Sequence, residues 1–217
     1  MAGEIPLVVA YRPEWPTQAE AAIAELVAAP GIVAQRFDHI GSTSILMMSA
    51  KDVIDLQVSV SSLKEADHLL AGPLTACGFS PTGSNQDHIP EGRDDDPELW
   101  RKRLWTRRIP RTPSITLHVR KAGSPNERFA LLFRDWFRSH PDAVSAYGAF
   151  KVGLAGLTAT TSRYADAKDP VVDVIMEAAE DWAANVQWRV ESGDVFDVSM
   201  NGASRQQSHR TGREVSR

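Results

Sequence analysis

The segment DHIGSTSILMMSAKDVIDLQVSV, residues 38–60, decides the fold. Its second half, Val53-Ile54-Asp55-Leu56-Gln57-Val58-Ser59-Val60, alternates apolar and polar side chains, the period of a half-buried strand. Successive side chains of a strand point to opposite sides. Ile54, Leu56, Val58 and Val60 therefore share one face, and Asp55, Gln57 and Ser59 the other. The first half carries His39 and then the small polar turn Gly41-Ser42-Thr43-Ser44. One outward carboxylate, Asp55, is thus expected beside a glycine-serine turn.

Upstream, residues 7–11 read as a short entry strand stopped by Pro13 and Pro16. Thr17 is the expected N-cap of a helix over 18–28 that Pro30-Gly31 ends, and residues 32–37 lead as a strand into the turn. Downstream, Ser61-Ser62 cap a helix over 63–76, with Pro73 as its weak point, and the polar residues 79–93 read as loop. Residues 99–105 and 115–120 suggest an antiparallel pair of strands extending the sheet. Phe129, Leu132, Phe133, Trp136 and Phe137 recur at helical spacing, an aromatic stripe that belongs to a core. Two more helices are expected, one from a cap at Asp142 to 157 and one over 170–188. Residues 1–190 read as one domain, and residues 191–217, poor in apolar residues and rich in arginine, as a disordered basic tail.

With 42% hydrophobic residues the 217-residue chain can bury one sizeable core. Its net charge of -4 supplies no overall basic field, so a nucleic-acid partner is not expected. The lone Cys77 excludes an internal disulfide and a cysteine metal cluster, and the beginning of the chain has no apolar run, so the expected setting is cytoplasmic, away from membranes. No Gly-x-x-x-x-Gly-Lys-Ser/Thr loop occurs, so the chain is not itself expected to be a kinase. Asp94-Asp95-Asp96-Pro97-Glu98 lacks the spacing and glycine of a calcium loop.

A Gly-Ser turn followed by a strand aspartate resembles the nucleotidyltransferase superfamily, where the turn holds a nucleoside triphosphate and an Asp-x-Asp/Glu strand holds magnesium. HIGSTS followed by AKDVIDLQV is similar to the GrpB family, a branch on that fold. The segments at 96–104, 115–143, 147–151 and 162–172 resemble the GrpB-like domain that follows dephospho-CoA kinase in many actinobacteria. The resemblance runs from about residue 8 to about residue 188. It implies an α/β, nucleotidyltransferase-like mixed sheet flanked by helices, with a helical C-terminal part. It also implies pocket positions at His39, Gly41, Ser42, Thr43, Lys51, Asp55 and His118, joined by Lys151, Tyr164 and Lys168. Relatives commonly carry Val-Pro-Gly after the turn, whereas Ile45-Leu46-Met47-Met48 stands here, so a changed backbone is expected beside the pocket.

Nucleotidyl transfer needs magnesium held by several carboxylates. Asp55 fills the first position, the neutral Gln57 stands at the second, and Asp52 falls on the other strand face. A residual anion site is the stronger expectation. Ser42 and Thr43 offer hydroxyls and, if a helix begins there, backbone N–H groups, while Lys51, Arg101, Arg103 and Arg120 offer cations. The sequence therefore points to a protein that binds a nucleotide or other phosphorylated ligand, or assists a dephospho-CoA kinase-type partner, without robust catalysis. The alternative is an active magnesium-dependent nucleotidyltransferase, with Asp55 on the metal and His118 taking the acceptor proton. Plainer roles compete: His39 and His118 bonding to backbone, Asp55 capping a helix, and Lys151 and Lys168 as solvated helix residues.

Overall fold

The computed structural model describes residues 5–190, and the alternating segment is an interior strand of its main sheet. In chain order the elements are β1 (Val8–Val9), α1 (Glu14–Ala28), β2 (Arg36–Ile40), a 3-10 turn (Ser42–Ser44), β3 (Ala50–Lys51) and β4 (Val53–Val60). There follow α2 (Leu63–Leu69), α3 (Ala71–Ala76), β5 (Ser80–Pro81), a second 3-10 turn (Pro97–Trp100) and β6 (Lys102–Arg107). The chain goes on through β7 (Ser114–Lys121), α4 (Pro125–Ser139), α5 (Pro141–Leu157) and α6 (Thr161–Val186). Five strands form one sheet in the order β2-β4-β7-β6-β5, with β4 and β7 parallel and the other neighbours antiparallel. β1 pairs with β3 apart from it. This is the expected mixed sheet flanked by helices, with a helical C-terminal part.

The two faces of β4 divide the molecule. Ile54, Leu56, Val58 and Val60 join Phe37, Leu117 and Val119 against Trp15, Ile23 and Leu26 of α1 and Leu70 and Leu74 beyond β4. Each leucine buried there contributes about 1.5–3 kcal/mol of hydrophobic stabilisation. On the other face, Asp55 lies opposite Ile40 and Thr116, Gln57 opposite Asp38 and His118, and Ser59 opposite Arg36 and Arg120. Helices α4, α5 and α6 cover this polar face, packing Leu132, Phe137, Tyr147 and Met176 on one another and on Ile45 and Met48. Phe133 and Phe137 are buried as expected of an aromatic stripe, their rings edge to face at 4.8 Å.

Several boundaries differ from the sequence reading. Helix α1 begins at Glu14, ahead of Thr17, because Pro16 falls in the first turn, where its missing N–H is not needed. The 63–76 helix is two helices that meet at Leu70, and only Ser62 caps, its Oγ accepting from Glu65 N–H. β6 starts three residues late because Pro97–Trp100 winds into a 3-10 turn held by the Asp96 side chain. The residue before α5 is His140, and Asp142 lies within its first turn. Helix α6 starts at Thr161 and runs through Pro170, with Thr160 as its cap. The expected basic tail, 191–217, lies outside the described residues. Among the described residues no helix is long and apolar enough to cross a membrane.

Candidate functional site

A cleft of about 920 Å³ lies between the polar face of the sheet and the C-terminal helices. Gly41, Ser42 and Thr43 of the turn, Lys51 of β3, Asp55 of β4, His118 of β7, Lys151 of α5, and Tyr164 and Lys168 of α6 all line it. Residues far apart in the chain are thus brought to one wall. His39 stands behind that wall, its Nε2 3.0 Å from Thr43 Oγ1. Arg103 does not join them. On β6 it points to the face opposite Leu104 and Thr106, and its guanidinium holds Asp67 of α2 at 2.6 and 2.7 Å. Arg101 is likewise engaged by Glu98, away from the cleft.

The turn and the strand are fitted to each other. Gly41 has φ +67°, a conformation that side chains disfavour, and a Cβ there would lie 2.7 Å from Asp55 Oδ2. After Gly41 the chain winds only one 3-10 turn, with Ser44 N–H and Ile45 N–H bonding to the carbonyls of Gly41 and Ser42. No longer helix begins there to add a dipole, and the polar groups that the turn brings to the cleft are the side chains of Ser42 and Thr43. The chain bends within Ile45-Leu46-Met47-Met48, where Met47 takes φ +63° with its side chain exposed while Ile45 and Met48 are buried.

The cations of the cleft are arranged around Ser42 and Tyr164. Lys151 Nζ donates to Ser42 Oγ at 2.8 Å and sits over the Tyr147 ring, 4.9 Å from its centroid. This lysine is 2% exposed, so it is not the solvated helix residue that its sequence context suggests. Burial and the nearby charges of Lys168 and Lys51 bring its pKa down to about 7, against the pull of Asp55. Lys51 lies over the Tyr164 ring at 5.6 Å, and burial pushes that phenol up to about 12. Lys168 meets Asp169 at 3.5 Å.

Asp55 faces His118, with Oδ1 3.6 Å from Nε2. Burial alone would raise its carboxyl pKa, but His118, Lys51 and His39 hold it below the ordinary value. His118 is lowered by burial and by Arg120, which outweigh Asp55. Arg120 Nη2 lies 3.2 Å from His118 Nδ1, and a guanidinium can only donate, so Nδ1 accepts and the neutral ring carries its proton on Nε2, toward Asp55. Asp87, in the loop that follows β5, fixes Arg120 in turn through contacts of 2.8 and 3.1 Å. It also takes Lys102 Nζ at 2.6 Å. Despite burial, these cations hold the Asp87 carboxyl well below the usual range. No sequence pattern marks Asp87, which stands in a polar loop.

The donor set does not fit a magnesium ion. Gln57 is fully buried, its Oε1 taken by Arg120 at 2.6 Å and its Nε2 directed to the Glu127 carbonyl at 3.5 Å. Asp52 gives its oxygens to Arg12 and Trp15, each at 2.8 Å. Asp55 is left with a histidine N–H and lysines about it. Among the described residues, no three His, Cys, Asp or Glu side chains come together as a metal site.

The likeness to known proteins follows this geometry. A dephospho-CoA kinase of Mycobacterium leprae is 35% identical over 200 residues, which are 84% of this chain and 48% of that protein. That of Mycobacterium tuberculosis is 38% identical over 191 residues, covering 82% and 46%. The chain thus spans about half the length of these curated relatives. A UPF0157 protein of Deinococcus radiodurans is 31% identical over 144 residues, covering 66% of this chain and 67% of that one. The crystal structure of conserved protein GrpB from Enterococcus faecalis superposes with a TM-score of 0.63 at 24% identity, covering 81% of this chain and 99% of that one, a likeness of fold. The GrpB protein family model matches residues 6–178, a span that holds the sheet, the turn and every lysine of the cleft, and the chain accordingly belongs to the GrpB family.

Proposed function

We propose that the cleft binds a nucleotide or another phosphorylated small molecule, as a binding site without robust turnover. The observation that carries this reading is the convergence of Lys51, Lys151 and Lys168, from three separate elements, on the wall that presents Ser42 and Thr43. Ammonium and hydroxyl groups are the donors that phosphoryl oxygens take. The volume, about 920 Å³, suits a nucleotide-sized ligand, and Leu104, Phe129 and Phe133 offer an apolar wall for its less polar part. Transfer chemistry is the weaker reading, because it requires a second carboxylate within metal reach of Asp55, and the Gln57 amide is already committed to Arg120 and Glu127. A nucleotidyltransferase-type ancestry accounts for the turn and Asp55 together.

Thermal unfolding with each nucleoside triphosphate and with CoA precursors tests the reading. A ligand at ~100 times its dissociation constant stabilises by about 2.7 kcal/mol, a rise in Tm of several degrees. One phosphorylated compound should give that rise in the native chain and a much smaller one in Lys151→Met. No rise with any of them contradicts it.

The match to about half of each mycobacterial dephospho-CoA kinase favours a second role, assistance to a kinase of that type. Sedimentation of the chain mixed with such a kinase deprived of its matching half should then show a complex. Two independent species contradict it.

A further inference from the structure

We propose that this cleft takes the phosphoryl oxygens of its ligand without a divalent metal, the ammonium groups of Lys51, Lys151 and Lys168 supplying the positive charge that magnesium would otherwise supply. The inference rests on the reading of the cleft as a phosphate site, and it names the ionic form that the site selects.

The first support is what surrounds Asp55. Magnesium demands near-octahedral oxygen coordination and keeps its waters reluctantly, so a site built for it presents carboxylates or other oxygens with free lone pairs. Asp55 has the Thr116 hydroxyl across from it but no second carboxylate with free lone pairs. Gln57 Oε1 is occupied by Arg120, and the Asp52 carboxylate is occupied by Arg12 and Trp15. His118 is no substitute ligand. Its Nδ1 is committed to Arg120, so the neutral ring turns an N–H, not a lone pair, toward Asp55.

The second support is Lys151. A buried ammonium ordinarily has a carboxylate partner, because charge in a poor dielectric is costly alone. The contacts of Lys151 Nζ in the cleft are instead a hydroxyl, Ser42 Oγ, and the face of Tyr147. Lys168 and Lys51 press it with like charge, and Asp55 is the countercharge that acts on it. Asp169 answers Lys168 and Asp55 is shared, so three ammonium groups face two carboxylates, and Lys151 beside Ser42 has no carboxylate of its own. Burial first, and then the like charges of Lys168 and Lys51, depress its proton affinity, and an arriving anion favours the protonated form. A free triphosphate carries more negative charge than its magnesium complex, so it is the better complement to three ammonium groups.

Titration calorimetry of the full chain decides the matter, with ATP and inorganic tripolyphosphate as probes, in EDTA and in excess magnesium at matched ionic strength. ATP should bind in EDTA and bind severalfold more weakly in magnesium. Tripolyphosphate should follow the same order, which assigns the preference to the phosphoryl chain and not to the nucleoside. Asp55→Asn, which removes a negative charge from the site, should retain or tighten binding in EDTA. Lys151→Met, and as a second variant the more exposed Lys168→Gln, should weaken it by about tenfold or more, the loss expected for a charge-assisted hydrogen bond. Binding that requires magnesium and disappears in Asp55→Asn overturns this inference while leaving the phosphate site intact. Absence of binding by either probe in both conditions overturns the phosphate site as well.

Discussion

Lys151 Nζ donates to Ser42 Oγ across 2.8 Å, tying helix α5 to the turn that precedes the central strand. The contact spans 109 residues of sequence and leaves an ammonium 2% exposed, so the C-terminal helices complete the cleft as well as cover the sheet.

This burial has a pH signature. The folded chain releases the Lys151 proton near pH 7, whereas the unfolded chain holds it to about 10.5. Between those values the unfolded state binds more protons, so stability gains from this group as pH rises, with a slope of up to about 1.4 kcal/mol per pH unit. Lys151→Met lacks that slope. It should be the more stable protein at pH 7, and urea unfolding should show the difference narrowing toward pH 10. A constant difference contradicts the assignment.

Gly41→Ala should destabilise by about 1–3 kcal/mol, because the residue is held at positive φ and its new methyl meets the Asp55 carboxylate. Urea unfolding reads the loss. Gly41→Ala combined with Asp55→Gly should recover part of it, since the collision is gone and the backbone strain remains.

Met47→Gly should do the opposite. Met47 keeps a positive φ with its side chain 70% exposed, so glycine relieves strain while giving up little burial. The gain in unfolding free energy should be at most about 1 kcal/mol, because glycine also loses more backbone freedom on folding.

Asp87→Ala leaves the buried Arg120 and Lys102 without their shared carboxylate and should cost about 3–5 kcal/mol. The depressed Asp87 carboxyl stabilises the fold fully above its unfolded pKa of 3.8, and that contribution is lost as pH falls through the lower, folded value. The native chain should therefore lose stability on acidification more steeply than Asp87→Ala. Parallel curves contradict this.

The sheet and the turn were legible because they rest on local signals. Period-2 alternation places Asp55, and Gly41 precedes it at a position where no side chain fits. Lys151 is named by the family resemblance and by no local pattern, since one lysine on a helix reads as solvated until α5 is seen packed over the turn. Arg103 reads as a candidate because β6 bears cations on both faces, and only its register with β7 assigns Lys102 to the cleft side and Arg103 to Asp67. Asp87 carries no periodicity at all. Its importance comes from Arg120 of the interior strand β7 reaching it, a tertiary contact without a local pattern.

The central claim, that the cleft is a phosphate-binding site, is tested most directly by a backbone amide NMR titration of the full chain with ATP. The predicted result is saturable shift changes gathered at Ser42, Thr43, Lys51, Lys151 and Lys168 and strongly reduced in Lys151→Met. Shifts that never saturate, or that gather around Arg103 and Asp67 on the opposite face, contradict it.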